Sequence, residues 1–230
     1  MNNYNIIINN LKSLENKANR EGMARFGINT ERALGIPMPF LRKIGKKYKG
    51  DHELANLLWI SLFHEARILA SIIDDPVRVT PRQMDEWATD FNSWDLCDQC
   101  CMNLFVYTAF AIEKAMEWSR EKEEFVKRAG FTMMACLALK SKYLKNSDFE
   151  HFFPIIVSEA GDDRKMVFKA INWALRQIGK RSLELNEKAI KIAEELTNSG
   201  NKNTIWIARD ALKELKSNAV RKRIIYNDYE

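Results

Sequence analysis

Apolar residues recur three and four positions apart along most of this chain, with polar residues between them. This spacing is typical of helices that bury one face. The pattern predicts helices at 4–20, 20–33, 40–48, 51–60, 63–74, 81–90, 94–116, 121–128 running towards 142, 148–160, 163–180, 185–199 and 203–217. No stretch rich in β-forming residues competes with them, so we predict an all-α fold.

Short segments rich in proline, glycine, asparagine and aspartate separate the predicted helices, at 35–39, 75–76, 80–81, 145–147, 161–163 and 198–201. Pro39 is expected in the first turn of the next helix, where its missing N–H costs nothing. The basic run at 221–223 is predicted to end the last helix, and residues 227–230 are expected to form a frayed tail.

The length and composition of the chain are those of a globular protein with a substantial core. Of its 230 residues, 46% are hydrophobic and 29% are charged. We expect a single domain over 1–230, with N-terminal helices in 1–50 and a C-terminal tail in 221–230. The first residues lack the features of a signal peptide, and no apolar run approaches the ~18 residues that span a bilayer. A cytoplasmic protein without a membrane partner is therefore expected.

Three of the four cysteines, Cys97, Cys100 and Cys101, share one apolar helical face, and Cys136 lies apart. A metal site is one interpretation, but the histidines are distant in sequence and there is no second cysteine pair. Buried reduced thiols fit the pattern better. We therefore expect neither a metal nor a cofactor.

Candidate chemistry lies at the start of the helix that follows Asn92 and Ser93, which are both good N-cap residues. Trp94 and Asp98 are four residues apart, so they share one face of this helix. An aromatic ring beside a carboxylate can hold and stabilise a cation. The alternative is that Trp94 packs in the core and Asp98 pairs with a nearby arginine or lysine.

Basic residues form a second pattern, within a modest net charge of +5. Five bases with no acid before Asp51 follow Pro39, namely Arg42, Lys43, Lys46, Lys47 and Lys49. Such a run is either a solvated face or a segment that contacts phosphates.

Weak self-similarity suggests stacked helix pairs. Four similar stretches each place one base near the start of an apolar helix, at Arg67, Arg128, Lys169 and Arg209. Asp98 occupies the comparable position in the gap, and the separations of 30 to 41 residues resemble HEAT repeats. In such a solenoid these positions would line a concave surface that suits the phosphates of duplex DNA. Alternatively, the bases are solvated or pair with Glu65, Glu124 or Asp210.

Four segments of the chain resemble the AlkD-type DNA alkylation repair proteins. They are Gly-Ile-Pro-Met-Pro-Phe-Leu-Arg-Lys at 35–43, His-Glu-Ala-Arg at 64–67, Ser-Trp-Asp-Leu-Cys-Asp at 93–98 and Lys-Ala-Ile-Asn-Trp-Ala-Leu-Arg at 169–176. The resemblance extends from about Met23 to Lys216. It implies a solenoid of HEAT-like antiparallel helix pairs with a concave basic groove. Active members of this family remove N3- or N7-alkylated purines from duplex DNA without base flipping.

The resemblance also implies roles for individual residues. It makes Asp98 the catalytic carboxylate, with Trp94 and Trp173 beside the lesion. A groove tyrosine of the family falls on Phe26, which keeps the ring and loses the hydroxyl. The remaining residues that we expect to contact DNA are Arg128, Lys169, Arg67, Arg209, Arg176, Arg42 and Lys43.

The leading hypothesis is therefore a cofactor-free DNA glycosylase that acts as a monomer on duplex DNA carrying alkylated bases. An alkylated purine is already a cationic leaving group, so Asp98 need only stabilise the oxocarbenium-like sugar. One alternative is a HEAT-repeat protein that binds DNA without cleaving it, which the loss of the tyrosine hydroxyl favours. Another is a protein-binding scaffold of the same fold.

Overall fold

The computed structural model describes residues 3–228, and no β-strand occurs among them. The chain divides into two compact units, Met1–Ala109 and Phe110–Glu230. The helices of the first unit are α1 (Asn3–Ser13), α2 (Lys17–Arg25), α3 (Met38–Gly45), α4 (His52–Ile60), α5 (His64–Ile73), α6 (Pro81–Thr89) and α7 (Trp94–Asn103), followed by a 3₁₀ turn at Phe105–Tyr107. The all-α prediction is confirmed.

The helices of the second unit follow one another with short connections. They are α8 (Ala111–Trp118), α9 (Glu124–Lys140), α10 (Asn146–Glu150), α11 (Phe152–Glu159), α12 (Lys165–Ile178), α13 (Leu183–Leu196), α14 (Lys202–Leu215) and α15 (Asn218–Asp228).

Within the first unit, α5 is the central helix and packs against α3, α4 and α7. Its apolar residues Leu69 and Ile73 are completely buried. Gly45 permits the close approach of α3 and α5, since a Cβ there would lie 2.5 Å from Cγ2 of Ile72. The first residues of α5 and α7, which carry the candidate functional residues, are therefore held in place by a packed core.

Within the second unit, α9 is buried along most of its length and packs against α8 and α12. Helix α12 also packs against α14, and α13 pairs with α14. Gly130 lets α9 meet the end of α8, because a Cβ at this position would lie 2.3 Å from the backbone nitrogen of Ser119. Sequential helices that pair, with alternate helices packed on one another, are the arrangement of HEAT-like repeats.

Several predicted boundaries are wrong. The helix predicted at 94–116 stops at Asn103, because Leu104 leaves the helical conformation and the following 3₁₀ turn buries Phe105. No proline or glycine marks this break in the sequence. The segment predicted at 20–33 is helical only as far as Arg25, and 148–160 covers the last three residues of α10 and all of α11.

The C-terminal end also differs from its prediction. Helix α15 continues past the basic run at 221–223 to Asp228. Residues 227 and 228 are therefore helical, while 229 and 230 of the predicted frayed tail lie outside the described residues. The single domain over 1–230 stays a prediction.

All four cysteines are buried, as predicted. Burial raises the pKa of the Cys100 thiol well above its usual range. Within residues 3–228, no cluster of three or more histidine, cysteine, aspartate or glutamate side chains could hold a metal ion. In the same part of the chain, no helix is both long and apolar enough to cross a membrane.

Candidate active site

Trp94 and Asp98 lie one turn apart at the start of α7, on the face that the sequence predicts. Both side chains are half-buried. The indole N–H of Trp94 donates a hydrogen bond of 3.0 Å to the backbone carbonyl of Phe26. This contact joins the start of α7 to the end of α2 and fixes the orientation of the ring. Trp94 therefore has a surface that another molecule can reach, which a core tryptophan would lack.

Phe26 forms the other side of this contact and caps the C-terminus of α2. Gly27 follows it with a φ of +76°, in the left-handed region that favours glycine, and turns the chain away from the helix. The phenyl ring of Phe26 is 74% exposed although it is large and apolar. Phe26 and Trp94 line the same cavity.

A cavity of about 610 Å³ opens beside these two rings. It lies between α2, the segment that leads into α3, and the first residues of α5 and α7. Its walls are mostly apolar, and they include Met23, Ile36 and Ile68. The few polar groups come from Asn19, His64, Glu65 and Asp95. Apolar walls with a few fixed polar groups are typical of ligand-binding clefts.

The carboxylate of Glu65 holds one wall of this cavity in place. Glu65 is 1% exposed and accepts hydrogen bonds from the backbone N–H groups of Leu34 (2.8 Å), Gly35 (2.6 Å) and Ile36 (3.2 Å). Gly35 has a φ of +75°, and a Cβ there would lie 2.3 Å from the carbonyl oxygen of Asn16. The segment therefore depends on a glycine at 35 and on a buried acid at 65.

His64 and Asp95 connect the start of α5 to the start of α7. Nε2 of His64 lies 2.8 Å from Oδ2 of Asp95, and the hydroxyl of Ser93 donates to Oδ1 at 2.8 Å. Burial alone would lower the pKa of His64, but the hydrogen bond and the charge of Asp95 outweigh it and raise that pKa. Burial would raise the pKa of Asp95, but its bonds to His64 and Ser93 lower it. Each side chain thus favours the charged form of the other.

The predicted row of bases is not uniformly exposed. Arg67 is 7% exposed, pairs with Asp90 at 3.0 Å and donates to the carbonyl oxygen of Trp59 at 3.2 Å. Arg128 is 6% exposed and donates to the carbonyl oxygen of Met166 at 2.6 Å. These two guanidinium groups are embedded in the protein, which differs from the open surface that the repeat pattern led us to expect.

The other two bases of the row, Lys169 on α12 and Arg209 on α14, are exposed. Their predicted contact with DNA stays a prediction. The alternative pairing with Glu65 is wrong, because that carboxylate binds backbone N–H groups instead.

Trp173 lies in the second unit on α12 and is half-buried. The side-chain oxygen of Gln177 accepts hydrogen bonds from the indole N–H of Trp173 at 3.0 Å and from the ammonium group of Lys180 at 2.9 Å. This holds for the amide orientation in which the oxygen faces both groups. Arg176, one turn away, is paired with Glu214 and with Asp210. Arg176 therefore belongs to an ion-pair network within the protein, and its predicted contact with DNA gains no support from this position.

The bases that follow Pro39 match the phosphate-contacting interpretation more closely. All five are exposed, and none of them forms an ion pair with any other residue that the structure describes; they are Arg42, Lys43, Lys46, Lys47 and Lys49. Met38, the first residue of α3, lines the cavity beside Trp94. At a rise of about 1.5 Å per residue, Arg42 and Lys43 follow about 6–8 Å farther along the helix axis.

Sequence reasoning missed His64, Glu65 and Asp95 as parts of the site. From the sequence, the His-Glu pair at 64–65 is only part of a segment that resembles a known family, and Glu65 is only a possible partner of the basic row. A signal was present in the sequence, because His64 and Glu65 begin a strongly apolar helix. Titratable side chains that are buried with such a helix need hydrogen-bond or ion-pair partners.

The chain belongs to the DNA alkylation repair enzyme family, whose model matches residues 7–215. A solved structure described as a new family of proteins related to the HEAT-like repeat DNA glycosylases, with affinity for branched DNA structures, has the same fold. It is 20% identical with a TM-score of 0.80, over 96% of this chain and 95% of that chain. No curated protein matches the chain.

Proposed function

We propose that this protein hydrolyses the N-glycosidic bond of cationic N3- or N7-alkylated purines in duplex DNA, without base flipping. The observation that carries the proposal is the pairing of Trp94 with Asp98 on one half-buried face of α7. The ring is fixed by its bond to Phe26, and an apolar cleft opens beside it. Membership of the DNA alkylation repair enzyme family supports the class of substrate.

The reaction requires few functional groups from the protein. An alkylated purine already carries a positive charge, so it leaves without protonation by a general acid. As the bond stretches, positive charge moves onto the sugar, and the carboxylate of Asp98 stabilises it. The purine leaves as a neutral base, and a water molecule adds to the anomeric carbon and loses a proton to solvent. Because Asp98 is half-buried, water screens its charge less than at an exposed position. The face of the Trp94 ring adds an attraction for the cation of about 0.5–2 kcal/mol.

Base release from methylated duplex DNA tests the proposal. The wild-type protein should release N7-methylguanine, and Asp98→Asn should release it about 100- to 1,000-fold more slowly, the usual effect of removing one preorganised electrostatic group. Glu113→Gln, at an exposed carboxylate on α8, is the control and should retain the wild-type rate. Release by Asp98→Asn at the wild-type rate would contradict the role of Asp98, and no release by the wild type would contradict the activity.

A second candidate function is DNA binding without cleavage. Two observations favour it. Phe26 lacks the hydroxyl that the AlkD-type groove residue carries, and the solved structure of the same fold is described by its affinity for branched DNA structures. This function predicts salt-dependent binding to unmodified or branched DNA by a protein that releases no base.

Binding and release measured on one preparation separate the two candidates. Under the second candidate, Phe26→Tyr is the informative variant, because it restores the missing hydroxyl without disturbing the backbone carbonyl that Trp94 uses. A gain of base release in Phe26→Tyr would assign the difference to this one group.

A further inference from the structure

A short loop in the second unit carries an aromatic ring that is almost fully exposed. Residues 140–145, here called the Tyr143 loop, lead from the last residue of α9 to the start of α10. The side chain of Tyr143 is 94% exposed. Lys140, Lys142 and Lys145 surround it in sequence and are also exposed. In the part of the chain that the structure describes, none of the three lysines forms an ion pair.

The backbone of this loop is held firmly from one side. The guanidinium of Arg181 donates to the carbonyl oxygens of Ala138 (3.2 Å), Ser141 (2.8 Å) and Leu144 (2.8 Å). It also lies 4.5 Å from the centre of the Phe149 ring. Tyr143 is therefore presented on an anchored backbone, which lowers the entropy that a partner must remove on binding.

The acidic groups near the loop already have partners. Asp148 accepts a hydrogen bond from the backbone N–H of Lys145 at 2.8 Å and so caps α10. Glu150 and Glu184 share Lys188, at 2.7 and 2.9 Å. The lysines of the Tyr143 loop therefore present their positive charge to solvent.

We propose that the Tyr143 loop binds DNA where a base has an open face, as in a single-stranded gap or at a branch point. Tyr143 stacks on the open base, and the lysines at 140, 142 and 145 contact the flanking phosphates. Aromatic rings interleaved with bases are the usual means of binding unpaired strands, since every base offers a π face. Inside an intact duplex the base faces are already stacked, so the ring of Tyr143 gains nothing there. This inference rests on DNA binding by the protein, with or without cleavage.

Three fluorescently labelled DNAs of one sequence, measured with the full-length protein, test the inference. They are an intact duplex, the same duplex with an internal single-stranded gap, and a three-way junction. Tyr143→Ala should weaken binding to the gapped and branched DNAs about 5- to 150-fold, the range that base–aromatic stacking provides, and leave the intact duplex within about twofold. Tyr143→Phe should bind like the wild type, because it keeps the ring.

A second variant separates the contribution of the lysine charges from that of Tyr143 stacking. Replacing both Lys142 and Lys145 by glutamine should reduce the slope of log affinity against log salt by about 1.4–1.8 on the DNA that the loop contacts. Tyr107→Ala is the matched control, since Tyr107 is 52% exposed but has no lysine beside it in the sequence. It should bind all three DNAs like the wild type.

The outcomes distinguish this inference from the proposed function. If Tyr143→Ala binds gapped and branched DNA as tightly as the wild type, the inference is overturned and the proposed function stands. An equal loss on all three DNAs would also overturn it, because it would show a contact that needs no open base. A wild-type protein that binds none of the three DNAs would overturn the inference and the second candidate function, whereas release of N7-methylguanine would still support the proposed glycosylase activity.

Discussion

The two tryptophans that the resemblance assigned to the lesion have different surroundings. Both are half-buried, and the indole N–H of each has an acceptor. Trp94 donates to a backbone carbonyl, whereas Trp173 donates to the side chain of Gln177, which also binds Lys180. A backbone acceptor cannot move without moving α2, but an amide side chain can rotate. Trp94 is therefore the more rigidly placed ring.

The surroundings also differ in charge. Trp94 is followed one turn later by Asp98 and lies beside an apolar cleft, whereas Trp173 lies next to a network of Arg176, Lys180 and Glu214. In that network, burial would raise the pKa of Glu214, but the two bases outweigh it and lower the pKa. Stabilisation of a developing cation is therefore expected at Trp94 rather than at Trp173.

We expect the greatest effect from removing the carboxylate of Glu65, which holds the wall of the cavity beside Trp94. Glu65→Ala should lower the free energy of unfolding by about 3 kcal/mol or more, because three backbone N–H groups lose a buried acceptor. Urea denaturation measures the change. Glu184→Ala on α13, at an exposed carboxylate, is the control and should change stability by less than about 1 kcal/mol. A loss of similar size in both variants would remove the structural role given to Glu65.

The next effect tests the comparison of the tryptophans directly. Trp94→Ala should slow base release about 2- to 30-fold beyond any change in DNA affinity, as expected for loss of an aromatic face beside a cation. Trp173→Ala should affect affinity more than rate. Single-turnover kinetics at saturating protein separate the two quantities. If Trp173→Ala slows the chemical step more than Trp94→Ala does, our ranking of the two sites is reversed.

A smaller effect is expected from the bases of α3. Replacing both Arg42 and Lys43 by glutamine should reduce the salt dependence of DNA binding by a slope of about 1.8 while preserving the fold. Arg67→Gln is the informative contrast, since Arg67 is buried against Trp59 and Asp90. It should reduce stability and leave the salt slope unchanged. A changed slope for Arg67→Gln would return this base to the DNA-binding surface.

The smallest effect is the pH dependence of stability at His64 and Asp95. The raised pKa of His64 means that its contribution is fully present below its ordinary pKa of 6.5 and is lost as the pH rises through the raised value. The lowered pKa of Asp95 means that its contribution is present above the ordinary pKa of 3.8 and is lost as the pH falls through the lowered value. Thermal unfolding of the wild type and of His64→Gln, followed from below pH 3.8 to above pH 6.5, measures both contributions to stability. Parallel pH curves for the two proteins would contradict the pairing.

Short-range relations were predictable from the sequence because they follow from the helix itself. The i, i+4 spacing of Trp94 and Asp98 fixes their shared face once α7 forms, and backbone hydrogen bonds within one turn suffice for that. The same reasoning predicted the apolar face that buries Cys97 and Cys100. The break at Leu104 escaped prediction since burial of Phe105, rather than a local turn signal, ends the helix there.

Residue spacing along the chain is enough to predict the all-α class, most of the helices and the face that carries Trp94 with Asp98. The tertiary structure sets which distant groups meet them. The carbonyl of Phe26 lies 68 residues from Trp94, and the partners of Glu65 and His64 lie about 30 residues away. It also decided that Arg67 and Arg128 are buried while Lys169 is exposed. The physical reason is that periodicity reports which face of a helix is apolar, whereas the partner of a polar side chain depends on which helices pack together.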